Sequence, residues 1–193
     1  MAIKRNLDEA KLLHLSTPAE WRRWLERHYK TEREAWLVYP KAHSGKPRIA
    51  YNDAVEQALC FGWVDSTVRS LDADHFAQRF SPRKPGSAYS QANKERLRGL
   101  AREGKIIPEV LSTLKPVLDE AFEMPADILE ALRADPQAWK NFQAFSEAYV
   151  RIRIAFIEGA RKRPAEFKKR LRYFIEMTAK NKMFGFGGIE KYY

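Results

Sequence analysis

The residues best equipped for chemistry crowd into one stretch, ALCFGWVDSTVRSLDADHFAQRFSPRKPGSAYSQANKERL, from Ala58 to Leu97. It holds the chain's single cysteine, Cys60, three aspartates, His75, and Arg83 and Lys84 between Pro82 and Pro85. Those two prolines stiffen the loop, and Gly86 admits backbone angles closed to other residues. Arg83 and Lys84 are thereby presented next to a helix that Ser90 should open. The free N–H groups of a helix N-terminus favour an anion, and Ser87, Ser90 and Asn93 add hydrogen-bonding groups. Asp65, Arg83, Lys84, Ser87, Ser90 and Asn93 therefore make a candidate site for a phosphate or carboxylate. The competing reading is that the serines cap a helix and Arg83 pairs with Asp65 or another acid.

Other chemistries fit less well. A cysteine nucleophile needs a lowered pKa from a nearby base or a helix N-terminus. Cys60 falls near a helix C-terminus among Leu59, Phe61 and Trp63, so it reads as a small core hydrophobe. His14, His28, His43 and His75 are scattered, with no i,i+4 pair and no second cysteine, and no metal is expected. His75 beside Asp72 and Asp74 reads as a turn between strands. "SGKP" lacks the upstream glycine of a phosphate loop, and no helix pattern follows "GFGG". Ser66, Ser81, Ser87 and Ser90 lie outside any nucleophile-elbow pattern. No catalytic residue and no cofactor is assigned.

The elements that must position these residues can be read from spacing. Thr17 caps a helix with Pro18 at its first position and Glu20 three residues after the cap, and Trp21, Trp24, Leu25 and His28 recur at helical intervals. "REAWLVYPK" is a strand. Asn52 or Asp53 starts the helix "DAVEQALCF", which Gly62 ends in a left-handed cap. "WVDSTVRSLD" and "HFAQRFSP" form paired strands around the turn Asp72–Asp74. After Pro85 the pattern turns helical: "QANKERLRGLAREG" up to Gly104, then "EVLSTLKPVLDEA", which Pro116 should kink or divide. The last third reads as three helices, "PADILEALRA", then "QAWKNFQAF" leading into "SEAYVRIRIAFIEGARKR", and "PAEFKKRLRYFIEMTAKN". "RIRIAF" alternates like a strand, but Tyr149, Ile152, Phe156 and Ala160 fit a helix, which is the expectation here. The tail "FGFGGIEKYY" shows no period and should pack as coil or stay mobile. The expected class is α+β: residues 1–120 form a small, mainly antiparallel sheet packed with helices, and residues 121–193 form a basic helical region packed on it.

Composition bounds the rest. Of 193 residues, 45% are hydrophobic and 31% charged, which suits a packed globular core. No apolar run approaches the roughly 20 residues of a membrane span. Asp8 and Glu9 interrupt any signal-peptide pattern, so the expected location is the cytoplasm. The net charge of +10 is uneven. Between Arg151 and Lys182, 11 basic residues face only Glu158, Glu166 and Glu176, leaving +8. An excess so concentrated attracts anionic partners. Arg151, Arg153, Arg161, Lys162, Arg163, Lys168, Lys169 and Arg172 are the candidate nucleic-acid contacts, against the plainer reading of a solubilising helical face.

"YNDAVEQALCFGWVDS" and "QRFSPRKPGSAYSQANKERLRGLAREGKIIP" resemble the bacterial YdeI/OmpD-associated family, also called bacteriocin-protection proteins. The "ALCFGWVDS" block, the "PRKPGS" block and the Ser-x-x-Asn helix start stand in the family's order and spacing. "EWRRWL…EAWLVYPK" and the basic C-terminal segment are also similar, so the resemblance covers most of the chain. Tyr89 stands where members commonly carry tryptophan, which keeps an aromatic body at that position. The resemblance implies roles in bacteriocin protection and envelope stress and an association with an outer-membrane porin, and it supplies no catalytic residues. Three readings stay open: a non-enzymatic protein binding a protein partner or a small anion; nucleic-acid binding through the C-terminal helices; and an enzyme acting on an anionic metabolite, with Asp65 as base and Arg83 as clamp.

Overall fold

The computed structural model describes residues 11–185 and 189–192. The chain divides into two compact units, residues 1–88 with 100–115, and residues 89–99 with 116–193.

The first unit is built on a four-stranded sheet in the order β1-β2-β4-β3. Strands β1 (Leu12–Leu13) and β2 (Ala35–Pro40) are parallel, whereas β4 (His75–Pro82) is antiparallel both to β2 and to β3 (Trp63–Ser70). β2 lies between two neighbours, and Ala35 to Tyr39 are all buried. A strand covered on both faces needs a continuous apolar run, which explains why "AWLVY" does not alternate. β3 is an edge strand, exposed from Ser66 to Ser70, and its register with β4 shifts between Asp65 and Val68.

Helix α1 (Pro18–His28) begins with a complete capping box: Glu20 N–H donates to Thr17 Oγ1 at 3.2 Å, and Thr17 N–H to Glu20 Oε2 at 3.0 Å. These bonds serve backbone donors that the first turn cannot pair. Trp21 and Leu25 are buried one turn apart, and the indole N–H of Trp21 donates to the Ala54 carbonyl at 3.1 Å. That bond ties α1 to α2 (Tyr51–Cys60). α2 starts at Tyr51 after Ala50, a residue without a capping side chain, so the expected Asn52 or Asp53 start is displaced by one or two positions. Gly62 has φ +71° and reverses the chain into β3.

In the hairpin turn Asp72 Oδ1 accepts from the N–H groups of Asp74 and His75, both at 2.7 Å. This side-chain mimic of a backbone turn is the role its aspartate was expected to fill. Helix α3 (Gln91–Arg102) follows, with Gly104 at φ +64° just beyond it. Pro116 divides the next segment into two single turns, α4 (Pro108–Leu111) and α5 (Lys115–Leu118).

The C-terminal part of the second unit is helical: α6 (Ala126–Arg133), α7 (Pro136–Ala144), α8 (Glu147–Glu158) and α9 (Pro164–Ala179). The expected count of three is therefore corrected to four. Phe145 turns extended at ψ 150°, and Ser146 starts a fresh helix by accepting from Tyr149 N–H at 3.3 Å. "RIRIAF" is helical, with Ile152, Arg153, Ile154 and Ile157 all buried. Ile128, Leu132, Ala138, Phe142, Tyr149, Val150 and Phe174 supply most of the remaining core. The tail expected as coil contains a short 3-10 turn at Glu190–Tyr192 with Tyr192 buried, while its residues 186–188 and 193 lie outside the described residues. Among the described residues no helix is long and apolar enough to cross a membrane.

Candidate functional site

The six residues of the proposed anion site are divided between the units: Asp65, Arg83, Lys84 and Ser87 belong to the first, Ser90 and Asn93 to the second. In the first unit Arg83 turns back on its own loop. Its guanidinium donates to the carbonyls of Ser87 and Ala88, and its backbone N–H to the Gly62 carbonyl at 2.9 Å. Ser87 Oγ donates to the Lys84 carbonyl at 2.8 Å. Lys84 is exposed. These bonds brace the turn that the prolines and Gly86 (φ +75°) create.

Asp65 lies elsewhere on the sheet. It pairs in register with Phe80, three positions from Arg83, which separates the two residues by roughly 10 Å along the ladder. Its carboxylate accepts from the Tyr51 hydroxyl at 2.6 Å. Tyr51 and the nearby Tyr39 carry no sequence signal of a site: Tyr51 is an exposed aromatic at the start of α2, and a tyrosine in an apolar strand, such as Tyr39, looks like core. The Tyr39 hydroxyl is buried without a hydrogen-bond partner among the described residues. Burial first, then the charges of Tyr51 and Asp65, push its pKa far above the ordinary tyrosine value.

In the second unit Ser90 acts as a helix cap. Its Oγ accepts from the Asn93 N–H at 3.3 Å, and Asn93 Oδ1 accepts from Arg96 Nη1 at 3.0 Å. Apart from exposed Lys84, the groups expected around an anion are thus engaged with nearby chain.

Cys60 is fully buried, and burial raises its thiol pKa above the usual value, so its environment is that of a core residue. His75 bonds Asp72 at 3.1 Å, and His43 bonds Asp74 at 3.0 Å. Among the described residues no group of three His, Cys, Asp or Glu could hold a metal ion.

The basic segment separates into three kinds of side chain. Arg151 is consumed internally: it grips Glu95 with Nε at 2.8 Å and Nη2 at 3.0 Å, and Glu147 with Nη1 at 2.8 Å. Glu95, only 3% exposed, also accepts from Gln91 at 2.7 Å and Arg98 at 2.9 Å. Burial pushes its pKa up, but the bonds from Arg151 and Gln91 and the charges of Arg151 and Arg98 outweigh it, leaving the carboxyl below its ordinary value. Arg161 is clasped by Asp127 at 2.5 Å and by Glu158, and Arg153 is buried. Arg151, Arg153 and Arg161 are therefore not free surface cations, because α8 and its C-terminal turn face acids and aromatics. Glu95 sits in a helix that reads as ordinary amphipathic sequence, so spacing gives no signal of its role.

Lys162, Arg163, Lys168, Lys169 and Arg172 are exposed. Arg172 approaches Glu176 at 4.0 Å. The other four make no ion pair or side-chain hydrogen bond among the described residues. Lys168, Lys169 and Arg172 share the face of α9 opposite buried Phe174 and Thr178.

The architecture is thus an α+β unit and a mainly helical, cation-bearing unit. The chain belongs to the family described as a domain of unknown function (DUF8412), which matches residues 13–113, and residues 121–181 match the family described as Bacteriocin-protection, YdeI or OmpD-Associated. The second is the family that the sequence motifs resemble, although its match falls on the basic helices and the "ALCFGWVDS" and "PRKPGS" blocks fall within the first. No curated protein and no solved structure matches the chain.

Proposed function

We propose that this chain is a non-enzymatic binding protein with a bacteriocin-protection or stress role, which captures an anionic partner on the outer face of α9 and the turn before it. One observation carries the reading: Lys162, Arg163, Lys168 and Lys169 stand exposed and make no salt bridge among the described residues, while neighbouring Arg151, Arg161 and Arg170 are paired. Exposed cations gathered on one surface attract opposite charge from a distance. The engagement of Arg83, Ser87, Ser90 and Asn93 with nearby chain, and the separation of Asp65 from Arg83, weigh against the enzyme reading. The protective role rests on the description of the 121–181 domain, as does any association with a porin.

Nucleic acid is the second reading, favoured by the same four cations. Fluorescence anisotropy separates the two, using labelled single- and double-stranded DNA and RNA and an acidic peptide at about 50 and 200 mM salt. Four phosphate contacts would weaken nucleic-acid binding by roughly 100-fold between those conditions. Binding of the peptide alone supports a protein partner. No binding to any probe at about 50 mM salt makes the surface a solubilising face and removes both readings.

A further inference from the structure

Arg153 is the most unusual cation in the chain. Its side chain is buried, the residue being 5% exposed, and its Nε has no hydrogen-bond partner among the described residues. Among the described residues no carboxylate pairs with it. The guanidinium is met instead by the rings of Phe184 at 5.6 Å and of Tyr149 and Phe156 at 5.9 Å. Gly185 also comes so close that a Cβ there would lie 2.7 Å from Nη1. Cation–π contacts offset only in part the cost of removing a charge from water.

The contrast with its neighbours is informative. Arg151 has Glu95 and Glu147, and Arg170 has Glu166 at 2.7 Å and the Phe156 carbonyl at 2.7 Å. Among the described residues, Arg151 and Arg170 have oxygen partners and the buried Arg153 has none.

Arg153 lines a pocket of about 140 Å³ between α8 and α9. Phe156 and Ile157 from α8, Tyr173 and Phe174 from α9, and Phe184 make its apolar surface. Lys169 and the Glu166–Arg170 pair complete it, so the lining carries two net positive charges. Phe156 and Tyr173 are themselves 39% and 48% exposed, an uncommon state for two aromatics at one opening. A cavity of roughly 150 Å³ accommodates one benzene ring.

We infer that this pocket binds a small monoanionic carboxylate carrying a single aromatic ring or an aliphatic body of similar size. The carboxylate meets Arg153, whose planar fork matches two carboxylate oxygens, and the apolar body lies among Phe156, Tyr173, Phe174 and Phe184. The single buried cation and apolar walls select a monoanion over a phosphate dianion, which would need more donors. This site goes beyond the α9 surface proposed above; the two share Lys169, but the pocket rests on Arg153 and its aromatic walls, which that surface does not use.

The test is calorimetric titration of the full chain with phenylacetate, using phenylacetamide as the neutral isostere and acetate as the anion without a body. The expected result is one-to-one binding of phenylacetate, with both analogues at least tenfold weaker. Arg153→Met should weaken phenylacetate binding at least tenfold. Tyr173→Ala, at an exposed position, should weaken it several-fold, and Lys168→Ala on the other face should leave it unchanged. Absence of phenylacetate binding at about 10 mM, where even a millimolar binder would be largely saturated, overturns the inference. So does phenylacetamide binding as tightly as phenylacetate. If Arg153→Met does not fold, an unchanged affinity in Tyr173→Ala is equally decisive against the site.

Discussion

Replacing Glu95 by alanine tests whether an internal ion network organises the second unit. The carboxylate is 3% exposed, while Arg98 and Arg151 retain 22% and 21% of their side-chain exposure. Breaking a buried pair by removing one partner costs about 3–5 kcal/mol, because the remaining charge is left desolvated. Here the arginines can still reach water, so the lower end applies, about 3 kcal/mol. At roughly 2–4 °C per kcal/mol for a chain of this length, the melting temperature should fall by about 6–12 °C. Differential scanning calorimetry of Glu95→Ala, Arg151→Ala and the double variant measures the coupling directly. The pH dependence has a definite sign. Since the folded pKa of Glu95 is depressed, its contribution is fully present above the ordinary carboxylate pKa and is lost as pH falls through the folded value. The stability gap between wild type and Glu95→Gln should therefore shrink in acid and be unchanged between pH 6 and 8. A loss below about 1 kcal/mol, the range of surface pairs, would refute the reasoning, as would a gap that widens in acid.

Cys60 should resist alkylation by iodoacetamide in the native protein and react rapidly in denaturant, because burial both covers the thiol and raises its pKa; rapid native labelling, followed by mass spectrometry, would contradict its core placement. Gly99→Ala should destabilise by about 1–3 kcal/mol in a thermal melt despite alanine's better helix propensity, since the added Cβ would lie 2.2 Å from the Tyr192 ring. Adding Tyr192→Ala should remove most of the penalty specific to Gly99→Ala, and strict additivity would show that the ring is not the obstacle. Arg153→Met should melt at or above the wild-type temperature, since an apolar side chain of similar size often serves a buried site as well as a charge does; a fall of more than about 10 °C would mean Arg153 has a structural role.

Much of the local fold was legible before any coordinates. The Thr17–Glu20 box, the left-handed Gly62 and the Asp72 turn each use a side chain or backbone freedom that few other residues offer, so neighbouring sequence is sufficient to locate them. Family resemblance was legible for the same reason, since "PRKPGS" and "ALCFGWVDS" are dense in turn-making residues. Periodicity merged α7 with α8 because the apolar spacing continues across Phe145–Ser146, and only the extended backbone at Phe145 reveals the break.

The site residues divide along the same line. Net charge counts every lysine and arginine alike, and a sequence cannot say which cation meets an acid. Arg151 and Arg153 stand two positions apart in "VRIRI" and have the same chemistry. On α8 that spacing points them in directions about 200° apart, one toward Glu95 and Glu147 and the other into an aromatic pocket. Likewise, residue type grouped Asp65 and Arg83 in one candidate site, whereas the β3–β4 register pairs Asp65 with Phe80, three positions from Arg83. Local rules determined where the chain turns and which face each helix buries; long-range packing decided which charges are neutralised, because that depends on partners as distant in sequence as Glu95 and Arg151.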